Sequence, residues 1–273
     1  MTMSKPRPAI ALLAAAGALT AAAQTDPATS ELEEVRQRGR LVMICFPHQD
    51  SEFVSVNLAA GPMARVGDTS SFVGADVDLM AEFAAELGVE LEIRPVAEPS
   101  YGALIPALLG GDGDLVASSL TITEERRRQV DFSVPYHVVH PVVVTRRDGG
   151  PASVDELQGR TAAAIPSSSQ EQLLRGLGFG GDRLVPVSFT RDGLLAVAEG
   201  QADLVLVDSG VAGRLLPEFP GLVAAFGLPG EEGYGFAVRP GSNLLPALDA
   251  FLAGLSSSGR LAEIKQRHRI PTD

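Results

Sequence analysis

The segment Ser118-Ser119-Leu120-Thr121-Ile122-Thr123-Glu124-Glu125-Arg126 concentrates groups able to hold an anion. Thr123 suits a helix N-cap, and Glu124 and Glu125 suit the first turn that would follow. Arg126 then falls at the third helical position, where the helix dipole disfavours a cation. A side chain turned back toward Ser119 and Thr121 would set a planar fork of donors beside two hydroxyls and a helix N-terminus. That combination suits a carboxylate. Surface pairing with Glu124, Glu125 or Asp131 is the alternative use of Arg126, and Arg127 and Arg128 follow it directly.

A second polar cluster, Ser167-Ser168-Ser169-Gln170-Glu171, follows an apolar stretch and opens another helix. Ser167 with Gln170, or Ser168 with Glu171, has capping-box spacing. Amides and a hydroxyl exposed there could also take the far side of a carboxylate. Asp208 offers the complementary charge, an acceptor for an ammonium. Its place follows from an internal echo: residues 108–116 and 197–205 each run from a helix end through a glycine and a turn to Asp-Leu-Val. Ser119 and Asp208 stand at the same distance beyond the aspartates of that echo, Asp114 and Asp203. Both would lie at carboxyl ends of strands, where open α/β sheets bind ligands. Turns of this kind also recur through local turn chemistry alone.

The elements that must position these residues alternate strand and helix. Residues 31–38 read as an entry helix, Leu41 to Cys45 as a buried strand, and Phe46 to Ser71 as a long loop rich in Gly, Pro, Asn and Ser. Helices over 78–87 and 101–109 flank strands at 91–93 and 115–117. After Arg147 the alternation resumes, with strands at 161–165, 184–189 and 204–207 and helices at 170–177 and 192–199. Such alternation predicts an α/β fold of two doubly wound lobes. Two apolar stretches, Pro141 to Thr145 and Tyr234 to Val238, are expected to be the strands crossing between them. Lobe 1 would comprise 31–143 and 239–270, and lobe 2 144–238. Final helices over 243–255 and 261–267 would return to lobe 1.

The balance of 34 acidic against 22 basic residues gives a net charge of −12. This argues against nucleic acid, which needs clustered Lys and Arg, and favours a soluble, self-repelling chain. The start reads as a signal peptide over residues 1–23: Lys5 and Arg7, an apolar run from Ala9, then Ala21-Ala22-Ala23 as the cleavage site. The run is too short and alanine-rich for a membrane span. The single cysteine, Cys45, excludes an internal disulfide and reads as a small buried apolar residue. His48, His137, His140 and His268 are scattered without metal-ligand spacing, so neither metal nor cofactor is expected.

From Phe72 to Tyr136 the chain resembles the amino-acid-binding family of bacterial ABC-transporter solute-binding proteins, with the type-2 periplasmic binding fold. The resemblance rests on Gly74-Ala75-Asp76-Val77-Asp78-Leu79, Leu104-Ile105-Pro106-Ala107-Leu108, Thr121 through Arg126, and Val130-Asp131-Phe132-Ser133-Val134-Pro135-Tyr136. Val154 to Gly159, Ala202 to Val205 and Ser258 to Ile264 extend it over nearly all of the chain that follows the leader. It implies that Arg126 binds a ligand α-carboxylate, with Ser119, Thr121 and Ser169 as hydroxyl or amide partners; Ser168, in the second polar cluster, is a further candidate ligand contact. It implies that Asp208 binds the α-ammonium, and that Phe46 or Phe53 supplies an aromatic over the ligand. The implied role is a monomeric, extracytoplasmic, non-enzymatic binding protein that delivers an amino-acid-like solute to an ABC-transporter permease. The chain departs from the family in its longer 46–71 segment, in Ser167 where a glycine is usual, and in lacking a tryptophan in the terminal helix. Two alternatives share the fold. One is an enzyme resembling cyclohexadienyl dehydratase, for which Glu171, Asp50 and His48 are candidate acids or bases. The other is a ligand sensor or recognition lobe of a peptidoglycan-active protein.

Overall fold

A computed structural model describes residues 30–46, 48, 51–57, 69–98 and 100–271. The leader assigned to 1–23 lies outside the described residues. In chain order the elements begin α1 (Glu31–Arg38), β1 (Arg40–Cys45), β2 (Ser55–Val56), β3 (Phe72–Val73), α2 (Ala75–Leu87), β4 (Glu90–Pro95), α3 (Tyr101–Leu109), β5 (Leu115–Val116), α4 (Glu124–Arg127), β6 (Asp131–Phe132) and β7 (His137–Val139). They continue β8 (Pro141–Arg146), β9 (Ala162–Ala164), α5 (Ser169–Gly176), β10 (Leu184–Pro186), α6 (Thr190–Ala198), β11 (Leu204–Asp208), α7 (Ser209–Leu215), β12 (Leu222–Gly227), β13 (Glu232–Tyr234), β14 (Ala237–Val238), α8 (Leu244–Ser258) and α9 (Arg260–Arg267).

The strands form two five-stranded sheets, β4-β1-β5-β14-β6 and β10-β9-β11-β8-β12. Each has the same plan. Three parallel strands stand on one side, and the third pairs antiparallel with the fourth. The echo in the sequence therefore has a structural counterpart: β5 and β11 are both the third strand of their sheet. Strand alternation divides the cores. Val205 and Val207 enter one cluster of the second sheet while Leu204 and Leu206 enter the other, so both faces are covered and the strand reads as a continuous apolar run. Leu244, Leu248, Phe251, Leu252 and Ile264 of α8 and α9 pack in the first sheet's core with Leu41, Met43 and Phe83. Among the described residues no helix is long and apolar enough to cross a membrane.

The crossing strands lie elsewhere than the sequence suggests. Pro141–Arg146 is an inner strand of the second sheet, between β11 and β12. Ala237–Val238 belongs to the first sheet, between β5 and β6. The pair that runs between the sheets is β7 and β13, antiparallel from Glu232↔Val139 to Tyr234↔His137. The apolar character of 141–145 reflects burial within a sheet, which a crossing strand and an inner strand share. The expected loop after β1 also carries a short strand, β2, which pairs antiparallel with β3 just beyond the loop.

One glycine fixes where this loop meets α2. Gly74 has φ 138, and a Cβ there would stand 2.1 Å from the Phe53 carbonyl oxygen. That close approach lets Ala75 N–H donate to Glu52 O at 2.8 Å and Asp76 N–H to Phe53 O at 3.0 Å. The start of α2 thereby pins Glu52 and Phe53.

Candidate ligand-binding cleft

The end of the first sheet is organised by a buried acid. Asp76, in the first turn of α2, is 0% exposed and accepts from Ser119 N–H at 2.7 Å and from the Tyr136 hydroxyl at 2.6 Å. Burial raises its pKa to about 6, against the pull of those hydrogen bonds. Ser119 adopts φ 43, a left-handed conformation uncommon for a side-chain-bearing residue. The bond its N–H donates to Asp76 holds that turn.

Thr123 caps α4, its hydroxyl accepting from Arg126 N–H at 3.2 Å. Arg126 turns back as its helix position suggests and is only 9% exposed. Its guanidinium donates to Thr121 O at 2.8 Å and, across to the other lobe, to Ser167 O at 3.1 Å. Burial pushes its pKa down, while Tyr101, Glu232 and Glu125 work the other way.

On the second sheet's side, Ser168 is the N-cap of α5 and accepts from Glu171 N–H at 3.1 Å. The Glu171 carboxylate reaches back to Ser167 N–H at 2.7 Å, one residue further than a capping box requires. Ser167 has φ 62, so it occupies the left-handed conformation that suits glycine. Thr121 Oγ1 and Ser169 Oγ lie 2.9 Å apart and join the lobes.

Asp208 ends β11 at the N-cap position of α7, yet its side chain does not cap that helix. It accepts instead from Gln170 Nε2 at 2.8 Å and from the Tyr234 hydroxyl. Burial pushes its pKa up, and both hydrogen bonds oppose the shift.

Ser119, Ser168, Asp208 and Phe53 line one cavity between the lobes, together with His48 and Tyr101. Arg126 lines an adjoining groove that shares Tyr101 and Ser168 as walls. Thr121 and Ser169 meet in the interlobe bond already described. Phe46 is fully buried, with its ring centroid 4.5 Å from that of His48, 5.2 Å from Tyr101 and 6.0 Å from Phe189. It supports the wall from behind. Phe53 stands edge-on to Tyr234 at 5.2 Å.

Of the acid–base candidates, His48 is in the cavity lining, its Nε2 3.0 Å from the Tyr101 hydroxyl. Glu171 is engaged by Ser167 and by Arg175 at 2.8 Å. Asp50 lies outside the described residues. Cys45 is fully buried and its thiol pKa is pushed up by burial, as befits an inert core residue.

Sequence reasoning missed Tyr101, Tyr234, Gln170 and Glu232. Gln170 and Tyr234 lay inside stretches already singled out, but as a cap and a crossing strand. Glu232 gave no signal, because its role depends on β13 passing beside Thr121 and on Ile122 N–H donating to Gly233 O at 2.8 Å. Burial and the neighbouring Asp208 raise the pKa of Glu232 to about 7, against a hydrogen bond from Ser169 and the charge of Arg126. Its Oε2 is buried without a hydrogen-bond partner.

Relatives carry the same organisation. Residues 54–270 match the model of the bacterial extracellular solute-binding proteins, family 3. The membrane-bound lytic murein transglycosylase F of Ectopseudomonas mendocina is 30% identical over 96% of this chain, which spans 54% of that relative's length. The arginine-binding extracellular protein ArtP of Bacillus subtilis is 28% identical over 72% of this chain and 78% of its own. Among solved structures, a P235GK mutant of ArgBP from T. maritima superposes with a TM-score of 0.74 at 31% identity, covering 87% of this chain and 98% of that one. The ancestral amino acid-binding protein AncCDT-1, a precursor of cyclohexadienyl dehydratase, gives 0.73 at 26% identity, covering 87% and 99%. With its two matched sheets, its interlobe cavity and this family match over most of its length, the chain belongs to the bacterial extracellular solute-binding proteins of family 3.

Proposed function

We propose that the chain captures an α-amino acid, or a zwitterion of similar size, between its lobes and presents it to an ABC-transporter permease. The observation that carries this reading is the placement of a buried acid and a buried guanidinium on opposite sides of the interlobe seam. Asp208 keeps its carboxylate turned away from its own helix and held by two neutral donors, Gln170 and Tyr234. An ammonium could replace them as partner. Arg126 satisfies two carbonyls, Thr121 O and Ser167 O, and a carboxylate is a stronger acceptor for it than either. Ser119, Thr121, Ser168 and Ser169 supply the remaining polar contacts. The arginine-binding names among the relatives support an amino acid as ligand.

Export with cleavage after the leader accords with an extracellular family. A second reading has the chain sense a ligand on behalf of a larger assembly. The murein transglycosylase relatives favour it, since the match spans only about half of them. A third reading, catalysis in the cavity by His48 and Tyr101, is prompted by the dehydratase precursor among the similar structures.

Calorimetric titration against the amino acids, with chromatography of the recovered ligand, separates these readings. Binding of an intact amino acid supports capture. Conversion of the ligand contradicts it. Binding of a muropeptide in preference to every free amino acid favours sensing.

A further inference from the structure

The cavity holds a second pair of charges away from Arg126. Glu52, from the segment pinned by Gly74, is in ion-pair contact with Nε of Arg214 on α7, a buried nitrogen that makes no hydrogen bond, and both residues line the cavity. Helix α7 begins just after Asp208, and Val211, Arg214 and Leu215 share the face that lines the cavity. At the helical rise, the backbone of Arg214 lies about 9 Å beyond Asp208. The wall therefore runs from the proposed ammonium site along a helix to a charged end. Apolar groups, among them Val187 and Val211, lie on the way.

The two partners are not equivalent. The Glu52 side chain is 13% exposed, and its backbone carbonyl accepts from Ala75 at 2.8 Å. Arg214 is 30% exposed, so its guanidinium has a path to solvent; the nearby acid Glu218 is itself held by Arg191 at 2.9 and 3.1 Å. If the pair opens, the more exposed Arg214 can turn out into solvent. Glu52 would be left as an uncompensated acid in a largely buried place, which is costly unless another cation takes it.

We infer that the site takes an α-amino acid with a cationic side chain, and that the Arg214 guanidinium is its resident surrogate on Glu52, displaced when the ligand enters. The inference rests on the amino-acid reading above and adds the class of side chain. Charge bookkeeping agrees. With Arg214 turned out and Glu232 protonated, Asp208, Glu52 and Arg126 leave one net negative charge, which a ligand with a cationic side chain cancels; ionised Glu232 adds to the negative side. A ligand with a second carboxylate would instead have to dislodge Glu52 from Arg214.

The test is calorimetry on the intact chain with L-arginine, L-lysine, L-glutamine and L-glutamate, for the wild type, Arg214→Met, Glu52→Gln and Glu52→Asp. The expected wild-type preference is for arginine or lysine over glutamine by about tenfold or more, the scale of one charge-assisted contact. Arg214→Met is expected to raise affinity for the cationic ligand by a similar factor, because the competitor is gone, and to leave glutamine unchanged. Glu52→Gln should lower cationic affinity about tenfold and spare glutamine. Glu52→Asp keeps the charge and should fall between the two; it also serves if Glu52→Gln does not fold. A wild type that prefers glutamate, or an Arg214→Met variant that binds arginine more weakly, overturns the inference. If a neutral amino acid binds tightly and Glu52→Gln leaves arginine untouched, this inference falls and the amino-acid reading stands. If no amino acid binds the folded wild type, both fall.

Discussion

The two strand ends that face each other across the cleft are built on the same sheet plan but held in different ways. In the first lobe, Asp76 and Tyr136 lie behind Ser119 and lock its turn from within the core. In the second, the groups that hold Asp208 are themselves in the cleft: Gln170 and Tyr234 line the cavity they reach across. One end is preorganised by buried scaffolding. The other is held by hydrogen-bonding side chains within the cleft, which on the proposed reading a ligand would replace. On the proposed reading, the first lobe would define the carboxylate position while the second would exchange internal partners for ligand on closing.

The largest expected effect comes from removing either charge. Asp208→Asn and Arg126→Ala should each weaken binding of the true ligand by about 100-fold, near the upper range of a charge-assisted bond. They should differ in stability. Arg126→Ala leaves the Thr121 and Ser167 carbonyls without their donor and should lower the melting temperature. Asp208→Asn removes a buried charge and should be neutral or stabilising. Differential scanning calorimetry beside the titrations checks both.

Asp76 tests the scaffolding side. Its folded pKa of about 6 lies above the ordinary 3.8, so the native chain keeps a proton that the unfolded chain releases between those values. Unfolding free energy should therefore fall as pH rises through that window, by at most about 3 kcal/mol for this group. Asp76→Asn should flatten that part of the pH–stability curve measured by urea unfolding. An unchanged slope would show that the acid does not titrate there.

A smaller effect is expected at Glu232. Ionised, it competes for Ser169 and Arg126, so affinity for a carboxylate ligand should decline as pH rises through about 7. Glu232→Gln should remove the decline in titrations from pH 6 to pH 8. Smallest is Ser167→Gly. With φ 62 already in glycine's territory, relief of backbone strain should gain about 0.5–1 kcal/mol, offset by glycine's greater unfolded-state freedom. A net change within error in thermal melts is the expected outcome.

Much of the cleft was legible because its signals are local. The misplaced cation at Arg126 and the cap at Thr123 depend on a single turn. The echo that located Asp208 depends on two similar strand approaches, and β5 and β11 do occupy matching places in their sheets. What escaped depends on contacts between distant segments. Phe46 and Phe53 are both apolar aromatics after the first strand, and nothing in the sequence tells that one backs the wall while the other lines the cavity. Glu232 is drawn in by strand pairing across the crossover, and Glu52 meets Arg214 only because Gly74 fixes one and α7 carries the other. The crossing strands were misplaced because inner strand β8 and a crossover look alike when both are apolar. Helix α7 went unread, as its Ser-Gly start and Gly213 weaken the helical signal.

The central claim is that one zwitterion is gripped by a charge from each side of the seam. It is tested most directly by titrating the preferred amino acid and its analogue lacking the α-amino group into wild type and Asp208→Asn. The wild type should lose about 100-fold on deletion of the amine, and Asp208→Asn should not distinguish the two ligands. Equal affinities in the wild type, or a full loss that persists in Asp208→Asn, would contradict the assignment of the ammonium to Asp208.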